Sequence, residues 1–271
     1  MKCYFAGYST QPEIRDFTQN ASNNLLETYH YFKNKDYRAW HKENNLMGRE
    51  LFLDSGAFSA FTLGVKIDID KYIEFIKKYE DMITAYATLD VIGDYKATDK
   101  NTKYMQSKGL KPIPTFHYGS PYEELERLVN EYDYIALGGL VPIAKDRPKM
   151  QAHLDKCFSI IKTKTRVHGF GVNGLWAWIR YPFYSVDATS WLMGGKFRQV
   201  IKFNPKKLKF ETSSKTKLID AHNFRLAHDG HYKELNMNNA IEYKKAADFV
   251  TKLWKNRGVD WLQWEKDRGI K

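Results

Sequence analysis

Short apolar runs that stop at a polar residue or a glycine recur along this chain, and their recurrence constrains the fold more than any other feature. The first is Leu51-Phe-Leu-Asp54-Ser55-Gly56-Ala57-Phe58. Tyr86-Ala-Thr-Leu-Asp90, Ile113-Pro-Thr-Phe-His117, Tyr134-Ile-Ala-Leu-Gly138-Gly139 and Phe183-Tyr-Ser-Val-Asp187 follow. Counted between Asp54, Asp90, His117, Gly138 and Asp187, the intervals are 36, 27, 21 and 49 residues. Val167-His168-Gly-Phe-Gly171 falls inside the longest interval. A buried parallel strand is apolar along its length and hands polar groups to the rim where it ends. A single boundary of this kind says little, whereas a series of them points to one rim of one barrel.

The segments between these runs carry helical signals. Candidate strands lie at 3–6, 50–53, 82–89, 111–116, 132–137, 165–170 and 183–186, with an eighth at 197–203 or 207–211. In 70–79, Tyr72, Ile73, Phe75, Ile76 and Tyr79 fall at helical spacing, with acid early and Lys77-Lys78 late, as the helix dipole prefers. Ser120-Pro121 opens a second helix running through 124–130, and 149–162 is a third with Leu154, Phe158 and Ile161 on one face. Further helices are expected at 20–33 and 239–256. Strands alternating with helices argue for a parallel sheet, and polar ends on most strands favour a closed barrel over an open sheet with one crevice. The expectation is an α/β fold, a single (β/α)8 TIM-type barrel over residues 1–271. Residues 9–49 and 192–240 enter as insertions or irregular segments, and no zinc subdomain is expected.

Forty-three Lys and Arg against 32 Asp and Glu leave a formal charge of +11, which favours a polyanionic partner, nucleic acid before an anionic membrane. A basic surface kept for solubility is the plainer alternative. With only Cys3 and Cys157, neither a disulfide framework nor a cysteine zinc cluster can be built. His222, His228 and His231 with Asp220 and Asp229 match no ligand spacing, so no metal and no cofactor is expected. The opening residues do not read as a signal peptide, and no apolar run approaches the roughly 20 residues of a membrane span. A cytoplasmic protein is the expectation.

Asp54, Asp90 and Asp187 are the candidates for chemistry. An acid that closes a strand is often the N-cap of the next helix. Three carboxylates on one rim would instead repel and raise one another's pKa values, a cost usually kept for function. Gly138-Gly139 is either a tight turn or a place where a flat ligand approaches backbone. His117 and His168 are proton-transfer or ligand groups, or else satisfied structural histidines. The glycines of Gly169-Phe-Gly171-Val-Asn173-Gly174 fit a dinucleotide pattern but lack its acidic partner. The most basic segment, 196–217, holds Lys196, Arg198, Lys202, Lys206, Lys207, Lys209, Lys215 and Lys217 against the single acid Glu211. Placed directly after Asp187, it suits contacts to phosphates, though a solvated loop would have the same composition.

In order, these residues resemble the tRNA-guanine transglycosylase superfamily. Asp54-Ser55-Gly56-Ala57-Phe58 is similar to that family's D-S-G-G-[FY], Leu89-Asp90 to its F-D-E strand end, and Ala136-Leu137-Gly138-Gly139-Leu140 to its A-[IV]-G-G-L. Phe170-Gly171-Val172 resembles its M-G-V-G, and Ser185-Val186-Asp187 its nucleophile strand. The likeness covers residues 51–191 and rests on the motifs occurring together. It implies a (β/α)8 barrel that exchanges a guanine base through a covalent glycosyl-enzyme, with Asp187 as nucleophile and Asp54 as general acid/base. Asp90 would hold the base edge, and the backbone at Gly139 and Leu140 the rest of the base. Ser55, Gly56, Phe58, Gly138, His168 and Gly171 would line the same pocket. The family's base-binding Gln falls at Tyr118, so His117 or Tyr118 would serve there.

The family's three-Cys, one-His zinc site cannot be made from two cysteines, and the chain is shorter than tRNA-acting members. It looks more like the compact phage-type enzymes that insert 7-deazaguanine bases into DNA. The expected partners are therefore DNA in preference to tRNA, and a free 7-deazaguanine such as preQ0. Two other classes stay open: a non-catalytic nucleic-acid-binding barrel, and a hydrolase of nucleosides or glycosides.

Overall fold

The computed structural model describes residues 1–8, 24–213 and 232–270. The chain divides into two compact units, one spanning Asn24–Gly171 and the other formed by Met1–Asn23 with Val172–Lys271. Within Asn24–Gly171 six strands are parallel to their neighbours: β2 (Asn24–Thr28), β3 (Glu50–Asp54), β4 (Ile83–Tyr86), β5 (Thr115–His117), β6 (Tyr134–Gly138) and β7 (Arg166–Gly169). β4 reaches β5 through a parallel bridge between Ala87 and Ile113. In the second unit β1 (Lys2–Phe5) runs parallel to β8 (Ser185–Ala188), with Tyr4 opposite Asp187. The result is an α/β fold with eight parallel strands among the described residues and helices between them, consistent with a TIM-like fold.

Seven of the eight parallel strands form where the sequence predicts them. The middle residues of β3, Leu51, Phe52 and Leu53, are buried together, because a parallel strand covered on both faces has no wet side. Helices begin where aspartates cap them. Asp68 accepts from the backbone N–H groups of Asp70 and Lys71, Asp94 from that of Ala97, and Asp146 from that of Lys149. The predicted helices appear as Ile69–Lys78, Tyr122–Glu131 and Arg147–Ile161.

Two expectations need correction. The helix expected over 20–33 is instead β2 followed by the single turn Tyr29–Phe32, with residues 20–23 outside the described ones. Glu27 disguises this strand: although charged, it is buried, accepting a hydrogen bond from the Tyr37 hydroxyl and pairing with His41 at 3.0 Å. The eighth parallel strand is therefore β2, and neither 197–203 nor 207–211 supplies it.

Those two segments form an antiparallel hairpin, β9 (Val200–Asn204) and β10 (Lys209–Ser213). Its apolar face packs on the long helix Tyr232–Asn256, with Phe210 stacked 4.5 Å from Tyr243 and Phe203 5.4 Å from Phe249. The same helix meets the outer edge of β9. Asn239 accepts from the N–H of Ile201, and Glu242 from that of Phe203, both at 2.8 Å.

Candidate functional site

The polar ends of β3, β5 and β6 and the loop after β4 converge within Asn24–Gly171. Asp54 ends β3 and accepts from the N–H of Gly56 at 3.1 Å, closing a tight turn. Gly56 is left-handed, with φ of +81°, and a Cβ there would stand 2.8 Å from the Cβ of His30 and 2.9 Å from the Thr28 methyl. Only glycine fits that bend. Gly56, not Asp54, is the N-cap of the following helix, Ala57–Thr62. Ser55 is buried and its hydroxyl accepts from the N–H of Ala57, whereas Phe58 is half exposed at 52%.

Asp90 likewise caps nothing, since Asp94 opens the helix Tyr95–Ser107. Side chains of that helix pin the loop that presents it. Asn101 donates to the carbonyl of Leu89, the Thr98 hydroxyl accepts from the N–H of Val91, and the Thr88 and Thr102 hydroxyls pair at 2.9 Å. The Asp90 carboxylate meets the His117 imidazole at 3.2 Å. Oδ1 of Asp90 and Nδ1 of His117 are buried, and neither finds a partner among the described residues. Buried carboxylate and imidazole atoms are costly to leave unmatched.

β6 brings glycine against this pair. A Cβ on Gly138 would lie 2.7 Å from the Thr115 methyl and 3.5 Å from Cδ2 of His117. Gly139 has φ of +67°, and a Cβ there would stand 3.2 Å from Cβ of His117. The backbone N–H of Tyr118 donates to the carbonyl of Gly138, locking the two strand ends together. Leu140 is buried beneath the turn, Tyr118 is partly exposed against His153, and Gly171 is left-handed with open space where a Cβ would sit. His168 is fully buried between the rings of Phe52 and Phe170, each with its centroid 4.5 Å away.

Sequence reasoning passed over Tyr72, a buried residue whose hydroxyl donates to the carbonyl of Ala87. Burial first, then the charges of Asp54 and Asp90, hold this hydroxyl well above the usual tyrosine range. Both carboxylates therefore act on one phenol, which brings them into one neighbourhood. The only hint in the sequence is a tyrosine on the apolar stripe of its helix, which reads as ordinary core. A second missed pair is His153 and Cys157 at 3.5 Å. Burial lowers that imidazole to about 4 and raises the thiol to about 12, so both are neutral and no thiolate is poised there.

Asp187 lies in the other unit, buried at 9% in β8. Burial, and then the Asp187 charge, push the thiol of Cys3 in the paired strand well above its usual value. Of the basic segment, Lys196, Lys202, Lys206, Lys207 and Lys209 are exposed and Arg198 is half-buried with φ of +52°. Lys207 pairs with Glu211 at 3.0 Å. Lys215, Lys217, Asp220, His222, His228, Asp229 and His231 lie outside the described residues. No group of three His, Cys, Asp or Glu able to hold a metal occurs among the described residues, and no helix there is long and apolar enough to cross a membrane.

No protein-family model and no curated protein matches the chain.

The Asp90–His117 pair has a titration that can be checked. Burial opposes a charge on His117, but the hydrogen bond and the charge of Asp90 outweigh it, so the imidazole sits above its ordinary value. A raised native value means that this pair adds stability at pH below about 6.5, and loses it as pH rises through the native value. In Asp90→Asn only burial remains, and the His117 pKa is expected to fall below the ordinary value. An NMR titration of the imidazole protons measures it, and an unchanged midpoint would show that Asp90 is not the cause.

Proposed function

We propose that this protein is a base-exchanging transglycosylase that replaces guanine in DNA with a 7-deazaguanine of the preQ0 type. The observation that carries the reading is the buried Asp90–His117 pair, with an unmatched carboxylate oxygen, set against the side-chain-free turn at Gly138-Gly139. A purine edge bearing N–H donors would satisfy that oxygen, and a planar ring can approach glycine backbone where a Cβ would block it. The family resemblance supplies the rest of the scheme, and the scaffold it requires is a (β/α)8 barrel with these acids at its strand ends.

In this scheme the Asp187 carboxylate attacks C1′ of the target nucleotide while the C1′–N9 bond breaks. The bonding pair goes to guanine N9, and Asp54 as general acid gives the departing base its proton. A glycosyl ester on Asp187 results. Asp54, now a carboxylate, takes the N9 proton of the incoming base, whose nitrogen attacks C1′ and releases Asp187. The sequence is that of a retaining glycosidase with a nucleobase in place of water. A base within a duplex must be flipped out to reach the pocket. The exposed lysines of the β9–β10 hairpin suit contacts to the phosphates of the same nucleic acid.

The test is to incubate the protein with DNA, and separately with tRNA, together with labelled guanine or labelled preQ0. Label is expected in DNA. Label in tRNA alone would replace DNA as the acceptor. Release of free base without incorporation would make the protein a hydrolase, and binding with neither outcome would leave a non-catalytic nucleic-acid-binding protein.

A further inference from the structure

We infer that a lysine-lined cleft in Asn24–Gly171, separate from the candidate site, binds a stretch of phosphodiester backbone. The cleft has a volume of about 520 Å³ and is lined by Lys33, Lys35, Lys66, Lys71 and Lys78. None of the five is ion-paired among the described residues, although 32 acids are distributed through the chain. Two acids also line the cleft, Asp68 and Glu74. Asp68 is committed as a helix cap, its Oδ1 accepting from two backbone N–H groups. The cleft thus carries a net positive charge that its own walls do not neutralise.

The cations are also positioned. The Lys35 ammonium lies 5.2 Å from the ring centroid of Phe32, and that of Lys78 5.0 Å from Tyr79, so aromatic faces restrain two of the five side chains. Lys71 and Lys78 stand seven residues apart on the helix Ile69–Lys78, about 10 Å along its axis, which is roughly three nucleotide steps of a B-form strand. Lys66 continues directly from a run in which Phe61, Leu63 and Val65 are 64%, 65% and 46% exposed. Unpaired lysines beside exposed apolar side chains are what a strand of nucleic acid uses, phosphates on the one and bases on the other. A cleft for an isolated small anion would need neither the length nor the apolar margin.

The choice of nucleic acid among polyanions rests on the proposed transglycosylase activity, but strand binding is measured without base exchange, so the two can fail separately. Binding of a fluorescent DNA oligonucleotide is titrated over a salt series for the wild-type chain and for K33Q/K35Q/K71Q/K78Q. The slope of log K against log salt is expected to shrink by about 0.9 for each phosphate no longer neutralised, a decrease of about two to four in all. K42Q/K96Q/K100Q/K108Q, which removes as much charge at exposed positions outside the cleft, should leave the slope near wild type. The fourfold Lys→Arg variant of the cleft should retain binding. Circular dichroism confirms that each variant folds. Equal slopes in the cleft and control variants would overturn the inference, as would a wild-type chain that does not bind DNA. So would cleft-dependent binding to phosphatidylserine vesicles with DNA binding unaffected.

Discussion

Asp187→Ala is expected to abolish the covalent sugar adduct and to lower base exchange by about 10³-fold or more, equivalent to about 4 kcal/mol of barrier, while the protein remains folded. The expectation follows from the proposed chemistry, in which no other group forms the bond to C1′. Asp187 is buried in the penultimate position of β8 and its charge is felt by Cys3 in the adjoining strand. Alanine keeps the strand's backbone pairing with β1 and removes only the carboxylate. Two measurements are needed: denaturing gel electrophoresis after trapping with DNA, and incorporation of labelled base. Asp54→Asn should behave differently. It removes a proton-transfer group, worth about 10²–10⁴-fold, yet leaves a nucleophile able to form some adduct. Full exchange by Asp187→Ala would remove that residue from the mechanism whatever Asp54 does.

The second large effect is on stability. Glu27→Ala is expected to destabilise the fold by about 3–5 kcal/mol, because it strips the partner from a buried His41 and a buried Tyr37 hydroxyl at once. Burial, then the Glu27 charge, then its hydrogen bond hold that hydroxyl well above the usual tyrosine range, and it is the donor in this pair. Glu27→Gln keeps an acceptor for Tyr37 and should lose much less. Urea denaturation followed by tryptophan fluorescence reads both. A loss below about 1 kcal/mol in the alanine variant would mean that water or the relaxed backbone satisfies His41 and Tyr37 without the carboxylate.

Legibility in the sequence tracked how locally each feature was encoded. β3 and β6 were readable within a residue or two because continuous apolar runs end at Asp54 and Gly138. β2 was not, since the charge on Glu27 hides a strand whose polar atoms are satisfied by residues ten and fourteen positions on. For Asp54 and Asp90, helix capping was the competing expectation, and it fails because Gly56 and Asp94 occupy the caps. The pairing of Asp90 with His117 could not be read, because it depends on the β4 loop and the end of β5 meeting in space. The basic run at 196–217 was conspicuous, while the five cleft lysines were not. They are scattered from 33 to 78 and become a group only when the helix Ile69–Lys78 lies beside the turn after Tyr29–Phe32.

The grip of Asn239 and Glu242 on β9 has a consequence for how this protein behaves in crowded solution. The N–H groups of Ile201 and Phe203 point away from β10, and a ribbon with such donors bare is a template on which a second copy could polymerise. Side chains from the helix Tyr232–Asn256 fill those donors as a third strand would. The cationic ribbon is thereby kept from self-recruitment, and helix and ribbon must loosen together before that edge can seed aggregates.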